Sequence, residues 1–167
     1  MYSKHTLALI VTSDRVYRGE KRDEVRPVVE ELIKNKHANL KLVYYRVVPN
    51  KRSYIRNAVL EAVDASDLVI VSGGTGISPR DVSIEAVAPL ARKEIPGFGE
   101  LHRRLSMEQI GPRALLSRTA AYIIGNSLVA VTPGNPQAVK LALDILSQVI
   151  EHATEEIRGK GHRHHKQ

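Results

Sequence analysis

LVIVSGGTGISPRD, residues 68 to 81, runs from four apolar residues into a glycine-rich turn and ends in an arginine-aspartate pair. Leu68 to Val71 shows no polar alternation, as expected of a strand covered on both faces. A bare glycine turn directly after such a strand lies at the carboxyl edge of a sheet, where open α/β folds collect their ligands. Leu7 to Val11 and Leu128 to Val131 have the same character, and the three runs read as the centre of a parallel sheet.

Outward from this centre, Val25, Val28, Val29, Leu32 and Ile33 recur at helical spacing. Ile55, Ala58, Val59, Ala62 and Val63 do the same, with Ser53 as the expected cap. Lys41 to Val48 between them is rich in β-branched and tyrosine residues and reads as a strand. Strand, helix, strand, helix, strand implies an α/β fold with right-handed crossovers. Ser83 to Arg92 and Phe98 to Gln109 read as helices separated by IPGFG, a proline-glycine break. Ala121 to Ile124 and Leu128 to Val131 flank Gly125-Asn126-Ser127, which predicts an antiparallel hairpin and therefore a mixed sheet. Val139, Ala142, Leu143, Leu146, Val149, Ile150, Ala153 and Ile157 predict one long amphipathic helix, capped by Asn135 and opened by Pro136.

A chain of 167 residues suits a single domain, expected over residues 1–158, with a basic, histidine-rich tail at 159–167 too polar to fold. The absence of cysteine excludes disulfides, thiolate zinc sites and cysteine-held clusters. No run approaches the ~20 apolar residues of a membrane span, and MYSKHTLALIV lacks the apolar length and cleavage site of a secretory signal. A soluble, cytoplasmic protein is expected, without membrane contact. The formal charge of +7 is partly local, because the tail adds Lys160, Arg163 and Lys166 without an acid. Nucleic acid is the weaker partner class, since one phenylalanine and no tryptophan leave few stacking platforms and no reading motif is present.

Three loops fall at the carboxyl ends of the central strands: Thr12-Ser13-Asp14-Arg15, Gly73-Gly74-Thr75-Gly76 and Pro133-Gly134-Asn135-Pro136. Glycines let a phosphate oxygen approach several backbone N–H groups at once. No lysine followed by serine or threonine completes a P-loop, and no third glycine completes a dinucleotide fingerprint. Asp81 is suited either to hold Mg²⁺ through one carboxylate oxygen or to sit at a helix start favoured by the macrodipole. Ser13 and Asp14 are loop hydrogen-bonders or ligand contacts. Ser117 and Arg118 precede the hairpin, with Arg118 as a bidentate phosphate clamp or a surface arginine. His162, His164 and His165 in the tail lack enforced metal geometry. No nucleophile, base and orienting acid stand at motif spacing, which leaves positioning and charge neutralisation as the available chemistry.

TSDR at 12–15, SGGTGISPRDVS at 72–83, KEIPGFGE at 93–100, LLSR at 115–118 and TPGNP at 132–136 form an ordered series. The series resembles the MoaB/MogA family of molybdenum cofactor biosynthesis proteins, whose fold is shared by molybdopterin adenylyltransferases and the gephyrin G domain. The resemblance implies a three-layer α/β/α fold, a homotrimer or homohexamer, and binding of molybdopterin and Mg-ATP. It also implies transfer of AMP to the pterin phosphate with release of pyrophosphate. Carried over by position, Gly73, Gly74, Thr75 and Gly76 contact nucleotide phosphates and Asp81 the metal. Ser13, Asp14, Glu100, Ser117, Arg118, Pro133, Gly134 and Asn135 line the shared pocket. Enzymes of the family commonly place an aspartate behind the proline after the second strand, where this chain has Pro49-Asn50. Asn50 offers a carbonyl oxygen without a charge at this catalytic position, so a member that binds the pterin or its precursor without transferring AMP is the alternative.

Overall fold

The structure, a computed structural model, describes residues 4–160. Its strands are β1 His5–Thr12, β2 Leu40–Val48, β3 Leu68–Ser72, β4 Lys93–Glu94, β5 Ala120–Ile124 and β6 Ser127–Thr132. Its helices are α1 Asp14–Tyr17, α2 Val25–Asn35, α3 Arg52–Ala65, α4 Ser83–Val87, α5 Pro96–Ile110, α6 Pro136–Leu146 and α7 Ile150–Ile157. The sheet order is β2-β1-β3-β6-β5-β4. β1 pairs in parallel with β2 and β3, and β3 with β6, while β5 runs antiparallel to both β6 and β4. The fold is therefore a mostly parallel α/β sheet carrying an antiparallel hairpin.

The unalternated apolar runs follow from burial on both faces. Leu7, Leu9, Leu68, Ile70, Leu128 and Ala130 point to one side and pack with Val29 of α2, Phe98 of α5, Leu143 of α6 and Ile150 of α7. Ala8, Ile10, Val69, Val71, Val129 and Val131 point to the other, against Ile55, Ala58, Val59 and Ala62 of α3 and Val87 of α4. Each strand residue thus serves one of two cores, and three layers result.

Four local expectations are corrected. Helix α3 starts before Ser53: Lys51 is its N-cap, with no side-chain capping bond, because a tight turn in which Lys51 N–H donates to Pro49 O (2.7 Å) starts the helix early. IPGFG does not break a helix, since Pro96 is the first residue of α5, where a missing N–H costs nothing. Gly99 within it is buried where the helix meets the Thr119 carbonyl, and a Cβ there would collide with that oxygen. The helix expected over Ser83 to Arg92 stops at Val87, continues as a 3₁₀ turn containing Pro89, and gives way to the short edge strand β4. The long C-terminal helix is two helices. Gln148 Nε2 takes the Asp144 carbonyl (2.6 Å) while its own N–H turns to Ile145 O, and the ladder tightens before α7 restarts. Gly159 and Lys160 close α7 through N–H bonds to Glu156 O and Glu155 O. The expectation for the rest of the tail lies outside the described residues.

Candidate functional site

Sheet register brings the three loops together. Val11, Ser72 and Thr132 lie side by side on β1, β3 and β6, so the chain segments that follow them emerge from one edge. The connection that leaves β1 runs to β2 on one side and the connection that leaves β3 runs toward β4, β5 and β6 on the other, which places the junction of β1 and β3 at a topological switch point. Gly73 N–H donates to Thr132 O at 2.8 Å, and a Cβ on Gly134 would stand 3.1 Å from the Gly73 Cα. Backbones in such contact leave no room for side chains. Gly73 and Gly74 also have φ of 115° and 72°, and a Cβ on Gly74 would run into Ser83 Oγ.

Between this edge and the end of α5 lies a cavity of about 380 Å³. Gly74, Thr75, Gly76, Asp81, Ser117, Pro133, Gly134 and Asn135 line it, which brings eight of the expected residues to one place. The peptide groups of the glycine loop are oriented in a uniform way. Gly74 O accepts from Ser83 N–H (3.1 Å), Thr75 O from Arg118 N–H (2.8 Å) and Gly76 O from Arg118 Nε (2.9 Å). The N–H groups of Thr75, Gly76 and Ile77 donate to no acceptor among the described residues. Consecutive bound carbonyls and free amides are the arrangement by which backbone concavities can take anions. Asp81 beside it uses Oδ2 to accept from Ser78 N–H (3.0 Å), while Oδ1 has no protein partner among the described residues. One hard oxygen at the cavity suits Mg²⁺ held mainly by substrate phosphates and water.

The remaining expected residues are placed differently. Ser13 Oγ caps α1 by accepting from Val16 N–H (3.3 Å). Asp14 Oδ1 accepts from Asn50 N–H (2.9 Å), and Asn50 Oδ1 accepts from Thr12 Oγ1 (2.7 Å). These form a polar cluster at the ends of β1 and β2, adjoining the glycine loop through Thr12, whose carbonyl a Cβ on Gly73 would strike. They do not line the cavity. Arg118 does not line the cavity: its guanidinium binds Gly76 O, Asp81 O (3.0 Å) and both oxygens of Glu85, on the far side of the loop. This hydrogen-bonded neighbour holds the Glu85 carboxyl below its ordinary range. Glu100 does not line the cavity either. It is exposed, because the face of α5 turned to the core and cavity carries His102, Ser106 and Gln109, and position 100 falls opposite on a helix of 3.6 residues per turn.

Ser106, Gln109, Arg113 and Gln137 also line the cavity and were missed. His102, Ser106 and Gln109 stand at i, i+4 and i+7, a polar stripe visible in the sequence but identical in pattern to a solvated helix face. Asn135 has its expected double place, accepting from Ala138 N–H (2.9 Å) as the cap of α6 while lining the cavity. Among the described residues no helix is long and apolar enough to cross a membrane, and no group of three or more His, Cys, Asp or Glu stands together as a metal site.

Residues 8–152 match a family described as "Probable molybdopterin binding domain". Molybdenum cofactor biosynthesis protein B of Staphylococcus carnosus is 40% identical over 141 residues, covering 83% of this chain and 82% of the relative. The crystal structure of the tungsten cofactor synthesizing protein MoaB from Pyrococcus furiosus superposes with a TM-score of 0.84 at 33% identity, covering 93% of this chain and 98% of that one. A solved structure of MogA gives 0.82 at 30% identity, covering 91% and 99%. Fold and sequence agree, and the chain belongs to the MoaB/MogA family of molybdenum cofactor biosynthesis proteins.

Proposed function

We propose that this protein is a molybdopterin adenylyltransferase, which binds molybdopterin and Mg-ATP, joins AMP to the terminal phosphate of the pterin and releases pyrophosphate. The observation that carries the reading is the run of unbonded amides from Thr75 to Ile77 beside the Asp81 carboxylate in a cavity of about 380 Å³. In this reaction an oxygen of the pterin phosphate forms a bond to the α-phosphorus of ATP, and the bond from that phosphorus to the β-phosphate bridging oxygen breaks. The attacking oxygen is already anionic, so no proton acceptor is needed, and alignment with charge stabilisation is the main requirement. The loop amides bind a phosphate oxygen, and Asp81 holds the cation. When bound, Mg²⁺ supplies neutralisation of phosphate charge. Incubating the protein with molybdopterin, ATP and magnesium should yield adenylylated pterin and pyrophosphate; absence of both under conditions in which an active relative turns over would reject the reading.

A second reading, a binding protein for the pterin or its precursor without transfer, is favoured by Asn50. Its side-chain oxygen is taken by Thr12 Oγ1 and it carries no charge. Asn50→Asp separates the two readings: gain of transfer in the variant from an inactive parent supports the binding protein. We further propose a homotrimer or homohexamer. Leu115 and Leu116 near the cavity are 75% and 52% exposed and offer apolar surface for self-association. Light scattering should give three or six times the chain mass of 18.5 kDa.

A further inference from the structure

Arg118 sits next to the glycine loop but on the side away from the cavity, and its partner Glu85 has had no role so far. The guanidinium makes four hydrogen bonds, to Gly76 O, Asp81 O and the two Glu85 oxygens, from a group with five N–H donors. No fork remains for a phosphate. An exposed ion pair contributes little by itself, and these side chains are 36% and 32% exposed. Its importance lies in what the pair holds. In a trans peptide the C=O and the following N–H point in opposite directions. Arg118 draws the carbonyls of Thr75 and Gly76 toward itself, so the N–H groups of Gly76 and Ile77 are turned away from it. Its bond to Asp81 O fixes the far end of the same loop.

We propose that Arg118, locked in place by Glu85, is a positioning residue that aims the loop amides at an oxyanion and does not bind the oxyanion itself. The assignment rests on the oxyanion reading of the cavity. Positioning and direct binding give opposite signs for one substitution. If Arg118 were a phosphate ligand, Glu85→Gln would remove a competing carboxylate and tighten Mg-ATP. If Arg118 is a positioning residue, Glu85→Gln releases the guanidinium and weakens Mg-ATP by about tenfold, the scale of one lost charged hydrogen bond. Arg118→Lys keeps the charge but loses the fork, and weakens it similarly.

Titration calorimetry with Mg-ATP and with inorganic pyrophosphate reads the affinity, and hydrogen exchange reads the loop directly. In both variants Asp81, Ser83 and Arg118 amides, bonded to Ser78 O, Gly74 O and Thr75 O, should exchange faster while β3 amides keep their protection. Unchanged or tighter binding by Glu85→Gln, or unchanged exchange at those three amides, overturns the proposal. If Arg118→Lys fails to fold, Glu85→Gln decides by both readouts; if Glu85→Gln fails to fold, Arg118→Lys decides by exchange, since direct phosphate binding by Arg118 predicts unchanged exchange at those three amides. If the wild type binds neither ligand, the oxyanion reading fails, and the exchange comparison still decides whether Arg118 and Glu85 hold the loop.

Discussion

Gly76 lies outside the left-handed region, and what restricts this position is the Asp81 carboxylate. A Cβ would stand 2.6 Å from Asp81 Oδ2, the oxygen that accepts from Ser78 N–H. Gly76→Ala therefore pushes a half-buried side chain aside without straining the backbone. Its stability cost should stay under about 1 kcal/mol, in the range of substitutions that create no cavity and bury no charge. Mg-ATP affinity should nevertheless fall about tenfold as the carboxylate leaves the cavity. Calorimetry beside chemical denaturation checks both, and a large stability loss with unchanged affinity would contradict the account. The same scale shows what the sequence can reveal. The glycine loop and Asp81 were legible because strand, turn and charge stand in one stretch. Which role Arg118 takes was not legible because its partner Glu85 is 33 positions away, and an arginine near a phosphate motif has the same sequence appearance whether it binds or braces. The facing of Glu100 was not legible for a related reason: the family block fixes its position along α5, but only the packed helix shows which way it faces.

Asn135 links an element to the site. It caps α6 with extended backbone, φ −118° and ψ 153°, and its side chain accepts from Ala138 N–H. Pro136 follows at the first helical position, so the start of α6 was legible to the residue. Asn135→Ala should lower the unfolding free energy by about 1 kcal/mol, whereas Asn135→Ser, another good cap, should stay within a few tenths. Denaturant titration distinguishes the two, and equal losses in both variants would show that the cap is not what Asn135 contributes. The end of that helix was not legible. Leu146 and Ile150 are both buried at helical spacing, so the apolar period runs unbroken through the turn that separates α6 from α7. The break comes from Gln148 taking a helix carbonyl, a competition of one polar side chain that periodicity cannot register. IPGFG erred in the opposite direction, because proline and glycine punctuate a chain in general but here serve a helix start and a close helix contact.

Across the whole molecule, the three central strands announced themselves through burial on both faces, but their order did not. β6 lies between β3 and the hairpin partner β5, a pairing between residues about sixty positions apart that local pattern does not specify. That arrangement sets α5 against α6, and His102 is buried at their contact. It is 1% exposed, its Nε2 lies 2.9 Å from Ala138 O, and its Nδ1 is 3.4 Å from Ser106 Oγ. Burial pushes the imidazole below its ordinary 6.5, against a weaker opposing pull from the Ala138 carbonyl and with a still smaller downward push from Arg103. The neutral ring is thus favoured by folding. Its contribution to stability is complete above the unfolded value near 6.5 and is lost as pH falls through the lower folded value, because the unfolded chain then binds the extra proton. Within that window one proton changes the unfolding free energy by about 1.4 kcal/mol per pH unit. His102→Gln retains a donor for Ala138 O and cannot titrate. Unfolding free energies of wild type and variant, measured from pH 7.5 down to about 5, should converge as pH falls. Other titrating groups cancel in the difference. Parallel curves would mean that His102 is not held neutral, and that the α5–α6 contact admits a charge the packing here has no means to solvate.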